Sequence, residues 1–167
     1  MNGWTIRPER ADDEIAIAAL VALAFRGVRD SDGSEPAIVE RLRAAGALTL
    51  SLVAEESGDI LGHVALSPVT IGDGTPGWFG LGPVAVTPGR RREGIGAGLV
   101  EAGMDRLRAS SAQGCVVLGD PAYYRRFGFG ADPRLSYPGP PPPYFQALRF
   151  AGPGPSGKVA YHPAFGG

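Results

Sequence analysis

Apolar and polar residues change their spacing several times along this chain, and each change marks an element. Residues 4–8, Trp-Thr-Ile-Arg-Pro, read as a short first strand. Asp12, Asp13 and Glu14 then place negative charge where a helix begins, which suits the helix dipole. That helix runs to about Phe25, with Ile15, Ala18, Ala19, Ala22 and Phe25 forming one face. Ser34-Glu35-Pro36 opens a second helix ending near Gly46, with Ser as N-cap, Pro in the first turn and Gly past the end. The polar loop between them, residues 27–33, is placed to border a site.

Strand spacing follows. Residues 48–55 and 60–69 flank the turn Ser57-Gly58-Asp59 and predict a hairpin. After a second turn at residues 73–77, residues 78–86 form a strand interrupted by Gly80, Gly82 and Pro83. Gly and Pro together in a strand predict a bulge or a close approach to the backbone. Residues 94–110 return to helical spacing through Ile95, Leu99, Ala102, Met104 and Leu107. A strand at 114–119 and a short helical stretch at 122–127, ended by Gly128, complete a core of about residues 1–130. The tail from Asp132 is rich in Pro and Gly yet keeps apolar, aromatic stretches at 144–150 and 159–165, so it is expected to pack on the core as short strands and turns. The order predicts one mixed α/β (α+β) domain over residues 1–167, with an antiparallel meander and a strand-helix-strand crossover.

Composition narrows the function classes. Sixteen basic and seventeen acidic residues give a net charge of -1, so nothing draws the chain as a whole to nucleic acid or anionic membrane. A local basic patch does exist at Arg90, Arg91 and Arg92. Cys115 is the one cysteine, lies in the apolar run Cys-Val-Val-Leu, and reads as a small buried hydrophobe. The start, Met1-Asn2-Gly3-Trp4, lacks the basic and apolar regions of a signal peptide, and no run approaches a membrane span. A cytoplasmic protein without a metal site is the expectation.

The informative segment runs from Val84-Ala85-Val86 through Thr87-Pro88-Gly89-Arg90-Arg91-Arg92-Glu93 into Gly94-Ile95-Gly96-Ala97. A strand ends, a basic glycine-containing loop follows, and a helix starts. The first turn of a helix leaves amides unpaired, glycines let a diphosphate approach them, and arginines add positive charge. Three readings compete. One is a solvated, glycine-softened helix start. Another is a Rossmann dinucleotide site, supported by Asp120 at the end of the next strand but opposed by the long loop and by Leu99 at the third glycine position. A Walker loop is excluded, because no Gly-Lys-Ser/Thr follows. The third is an acyl-CoA site.

Arg91-x-x-Gly94-x-Gly96 resembles the Q/R-x-x-G-x-G/A signature of the GNAT acetyltransferases. Downstream, Tyr124-Arg125-Arg126-Phe127-Gly128-Phe129 resembles that family's Tyr-x-x-x-Gly-Phe, in the same order and at similar spacing. Leu81-Gly82-Pro83-Val84-Ala85-Val86, the run from Leu118 to Tyr124 and the ending Val159-Ala160-Tyr161-His162-Pro163-Ala164-Phe165 are similar to the YhbS-like subgroup. The resemblance implies a mixed, mostly antiparallel sheet flanked by helices, whose two central strands are parallel and splayed.

It also implies chemistry. Pantetheine would lie along Val84, Ala85 and Val86, and the pyrophosphate on the amides of Arg91, Arg92, Glu93, Gly94, Ile95, Gly96 and Ala97. Tyr124 matches the family's acid, which protonates the departing thiolate of acetyl-CoA after attack by the primary amine of a small molecule or peptide. Tyr123 would pack or line the pocket, and Asp120 would approach the pantetheine or cap the short helix. A homodimer is an expectation of the resemblance alone. The base departs from the family pattern: its glutamate position is Gly80 here, which leaves Glu55, Glu56, His63, Asp73, Asp120 or a water chain. A non-catalytic acyl-CoA-binding domain and a nicotinamide-dependent enzyme remain as alternatives.

Overall fold

A computed structural model of the chain describes residues 3–166. Met1 and Asn2, which belong to the segment read for a leader, lie outside the described residues. The strands are β1 (Thr5–Pro8), β2 (Leu50–Glu56), β3 (Asp59–Ile71), β4 (Trp78–Val86), β5 (Gly114–Leu118), β6 (Leu135–Ser136), β7 (Phe145–Arg149) and β8 (Gly157–Tyr161). The helices are α1 (Glu14–Phe25), α2 (Glu35–Ala44), α3 (Ile95–Ala109) and the single turn α4 (Pro121–Tyr124), which continues into a 3₁₀ turn at Arg125–Phe127. Among the described residues no helix is long and apolar enough to cross a membrane.

The sheet runs β1-β2-β3-β4-β5-β7, antiparallel throughout except for the central β4–β5 pair, which is parallel. The tail completes it. β7 pairs with β5, and β8 pairs with Val69, Thr70 and Ile71 of β3, beyond the last β3 residue paired with β2. Helices cover both faces, so β3 is buried without interruption from Leu61 to Ser67 instead of alternating.

α3 lies against one face. Its Ile95, Leu99, Met104 and Leu107 pack with Leu52, Val64 and Leu66. Gly62 makes the close approach possible, because a Cβ there would lie 2.8 Å from Ile95 and 2.9 Å from Leu99. On the other face, Ile17, Leu20, Val21 and Ala24 of α1 pack with Val39, Val53 and Ala85. This corrects the predicted face of α1: Ile15 is 87% exposed, and Ala19 and Ala22 are exposed too. The segment Glu-Ile-Ala-Ile-Ala-Ala-Leu-Val-Ala-Leu-Ala-Phe is apolar all round, so periodicity alone does not select a stripe.

Ser34 is the N-cap of α2 by position, but its side chain makes no capping bond. Asp13, read as a dipole charge, is instead buried and bonded by Arg7 at 2.7 and 3.1 Å. The predicted bulge is present. Val64 faces Val84 and Leu66 faces Leu81, so Gly82 and Pro83 together oppose Ala65.

Candidate active site

The parallel pairing of β4 and β5 is short. It runs from Trp78 opposite Gly114 to Leu81 opposite Val117 and then stops. β4 continues through the bulge to Val86, held by β3 alone, since Val84, Ala85 and Val86 pair with Val64, His63 and Gly62. The two strands therefore part at their C-terminal ends, and the β4 backbone presents an unpaired edge to the gap.

Two cavities meet this segment. One, of about 370 Å³, lies at the start of α3 and is bordered by Val86, the loop arginines, Gly94-Ile95-Gly96-Ala97, Tyr123 and Arg126. Gly94 is the N-cap residue at φ +83°, a conformation costly to any residue with a Cβ, and no side chain caps the helix. The amides of the first turn thus have no capping side chain where the positive end of the dipole faces the cavity. Gly96 keeps that wall thin: a Cβ there would lie 3.5 Å from both the Tyr123 hydroxyl and Val86.

The arginines divide their roles. Arg90 donates to Glu93 at 2.6 and 2.9 Å and to Glu56 at 2.8 Å, so its charge is neutralised inside the loop. Both carboxylate oxygens of Glu93 are thereby taken up by Arg90. Arg91 turns back to donate to the carbonyl of Ala24 at 3.0 Å, tying the loop to the end of α1. Arg92 is exposed in the left-handed region at φ +75°. Arg126, which sequence reasoning left out of the site, sits 4.4 Å over the Tyr123 ring and borders the same cavity.

The second cavity, of about 400 Å³, fills the gap between the splayed strands. Leu81, Gly82, Pro83 and Val84 border it from β4, Leu118 from β5 and Tyr124 from α4. Asp120 starts α4 by accepting from the Ala122 amide at 2.9 Å, so its carboxylate serves the cap. Tyr124 then stands against Tyr123 edge to face at 5.0 Å and against Phe129 at 6.0 Å. Burial, and after it the neighbouring Tyr123 and Cys115, push the Tyr124 phenol up to about 12.

A sequence model described as an acetyltransferase (GNAT) domain matches residues 5–131. The chain belongs to the GNAT acetyltransferase family. It is 39% identical to the uncharacterized N-acetyltransferase YhbS of Escherichia coli (strain K12) over 168 residues, covering 96% of this chain and 97% of that protein. A GNAT family acetyltransferase from Brucella melitensis, solved in complex with acetyl-CoA, superposes with a TM-score of 0.87 at 52% identity, covering 97% of each chain. YhbS from Escherichia coli in complex with CoA superposes at 0.88 and 36% identity, covering 99% of this chain and 93% of that one.

Family membership removes the Rossmann alternative, and the packing agrees. Leu99, at the third glycine position of that motif, is fully buried under the sheet. The base candidates of this GNAT chain disperse. Glu55 is held by Arg7 at 2.7 Å and Glu56 by Arg90 at 2.8 Å, so both carboxylates are committed to ion pairs. Asp73 accepts from the amides of Thr75 and Ser156. His63 is fully buried, bonded through Nε2 to Ser51 at 2.8 Å and pushed down to about 4 by burial. Cys115 is buried as predicted, and burial raises its thiol pKa.

Gly80 faces Tyr161 of β8, and a Cβ on Gly80 would lie 3.5 Å from that ring and 3.1 Å from Val69. A tyrosine from the tail thus occupies the space beside the family's glutamate position. The carboxylate that does reach the second cavity is Glu35, in the first turn of α2. Its signal in the sequence was slight: a carboxylate directly after the polar loop that was expected to border a site.

Proposed function

We propose that the chain binds acetyl-CoA along the splayed edge of β4 and transfers its acetyl group to a primary amine held in the cavity between β4 and β5. The observation that carries this reading is the placement of the two cavities in succession along β4, with Val86 at the border of the first and Val84 at the border of the second.

The first-turn amides of α3 fit a pyrophosphate, which would take the amides between Arg91 and Ala97 with charge from Arg92 and Arg126. Val84, Ala85 and Val86 offer backbone groups to the pantetheine amides. Asp120 and Tyr123 flank that path through the cap of α4 and the cavity wall. Bound acetyl-CoA supplies an activated thioester. The amine nitrogen bonds to its carbonyl carbon while the C–S bond breaks. Tyr124, still protonated at neutral pH, gives its proton to the departing sulfur and recovers one released from the nitrogen through solvent. The proton lost from the original ammonium leaves to solvent.

The tail acts in the same unit, since β7 and β8 complete the sheet, so residues 1–167 work as one domain. A free, buried Cys115 suits a reducing cytoplasm. The test has two parts. CoA and NAD are titrated separately by calorimetry, and acetyl-CoA turnover over an amine library is followed by thiol release. CoA binding with amine-dependent thiol release is expected. CoA binding with no amine-dependent release from any acceptor reduces the chain to an acyl-CoA-binding domain.

A further inference from the structure

We infer that the acceptor is a small primary amine with an aromatic or branched apolar body and no carboxylate, and that Glu35 receives its ammonium group. This rests on the acetyltransferase reading above.

The charge pattern of the cavity points this way. Among its bordering residues Glu35 is the single carboxyl side chain, and none is Lys, Arg or His. An alkylamine of pKa near 10 enters as a cation, and one carboxylate in an otherwise uncharged cavity is its complement. An amino acid presents a carboxylate next to its amine. That group would meet Glu35 with like charge and would find no guanidinium to pair with, a penalty of the kind that excludes wrong ligands.

Glu35 is positioned, not merely present. Ser31, in the polar loop before α2, donates its hydroxyl to Oε1 of Glu35 at 2.7 Å. Pro36 follows in the first turn, and a carboxylate at this end of a helix is favoured by the dipole. Among the described residues only Oε1 is engaged, which leaves Oε2 for a ligand.

Shape sets the body of the acceptor. On the border of the same cavity, Tyr161 stands 5.2 Å from Tyr137 and 5.1 Å from Phe165, ring centre to ring centre. Three connected rings, with Tyr161 tilted by 44° to Tyr137 and by 85° to Phe165, make an angled aromatic wall. An aryl or branched group covers it, whereas a thin lysyl chain leaves much of it wet. The volume, about 400 Å³, is at the small end of ligand cavities. All three rings lie beyond residue 131, where the family match ends. The wall therefore comes from the tail, outside the residues that the acetyltransferase domain match covers.

The experiment titrates phenethylamine, phenylalanine and Nα-acetyl-lysine amide into CoA-saturated wild type, Glu35→Gln and Glu35→Asp by calorimetry. Phenethylamine is expected to bind wild type at least tenfold tighter than either of the others. Glu35→Gln should lose tenfold or more of that affinity and its salt dependence, Glu35→Asp should lose less, and both should keep wild-type CoA affinity, which certifies the fold. Three outcomes overturn the inference: unaltered phenethylamine binding in Glu35→Gln, equal binding of phenylalanine or the lysine amide to wild type, or no phenethylamine binding at all. The CoA titration that precedes each run separates the two levels. Failure of wild type to bind CoA sinks the acetyltransferase reading itself, while CoA binding with another acceptor preference sinks only the amine assignment.

Discussion

Gly119 and Tyr124 are packed so closely that a Cβ on Gly119 would collide with the Tyr124 ring. Gly119 is the residue after β5, and the Tyr124 amide donates to the carbonyl of Asp120 at 3.0 Å. The end of the strand, the cap and the ring are thereby one rigid unit, which fixes where the phenol stands in the gap between β4 and β5. Gly119→Ala is expected to displace the ring. Turnover should fall about tenfold or more while CoA affinity changes little, because the proposed pyrophosphate site lies apart, at the start of α3. Steady-state kinetics beside CoA calorimetry checks this, and parallel losses in both would show that the substitution damages the fold at large.

Tyr124→Phe keeps the ring and its packing and deletes only the hydroxyl. Loss of a general acid costs about 10²- to 10⁴-fold, and the lower end is expected because a thiolate already leaves tolerably at neutral pH. With the phenol pushed up to about 12, the proposed acid stays protonated across the whole range from pH 6 to 10. The alkaline limb of the rate profile, where the phenol loses its proton, should therefore lie above pH 10. Unchanged turnover in Tyr124→Phe, with chemistry shown to limit the rate, would move this residue from catalysis to packing.

Gly94→Asp and Gly94→Ala separate backbone strain from charge. Both residues must adopt φ +83°, at a cost of about 1–3 kcal/mol, although a Cβ there meets no neighbour. The aspartate alone adds negative charge at the proposed phosphate site. Calorimetry should show a modest loss of acetyl-CoA affinity for alanine and at least a further tenfold loss for aspartate. Equal affinities for the two variants would place the pyrophosphate elsewhere.

Arg126→Ala and Arg90→Ala are expected to differ. Arg126 borders the cavity at the start of α3, the proposed pyrophosphate site, and rests on Tyr123, whereas Arg90 is occupied by Glu56 and Glu93. Losing Arg126 should weaken CoA by about five- to tenfold, equivalent to about 1 kcal/mol of charge-assisted bonding. The loss should shrink as salt rises. Arg90→Ala should change CoA affinity less. The reverse ranking would assign the phosphate charge to the wrong arginine.

His63 makes folding stability depend on pH. Its folded pKa is pushed down to about 4 by burial, against an ordinary value near 6.5. Above pH 6.5 the imidazole is neutral in both states. Between 6.5 and 4 the unfolded chain takes up a proton that the folded one refuses, so stability falls with falling pH, by at most about 3 kcal/mol. Burial pushes Glu9 up, but hydrogen bonds from Arg43 and Ser51 outweigh it and hold the carboxyl below its usual range, so Glu9 adds to the loss only at lower pH. Denaturant titrations of wild type and His63→Asn from pH 8 to 4 should show a shallower decline in the variant between 6.5 and 4.

Much of this was legible in the sequence because it is local. The hairpin, the bulge at Gly82-Pro83, the glycine-opened helix at Gly94 and the short turn carrying Tyr124 each depend on residues within one or two turns of chain. The chemistry of those residues, a missing Cβ or a fixed φ, acts whatever the rest of the fold does. The pairing of two motifs in order then carried the family resemblance.

What the tertiary structure alone decided is everything that depends on which distant groups meet. Helix α1 is apolar all round, so only the sheet beneath it selected Ile17, Leu20, Val21 and Ala24 for burial. Three adjacent arginines look equivalent in sequence, yet Glu56 neutralises one and the Ala24 carbonyl takes another. The second cavity gathers α2, β4, β5 and the tail, and Glu35 and Tyr161 meet there from opposite ends of the chain. Burial and electrostatic pairing depend on distance in space, which spacing along a sequence does not encode.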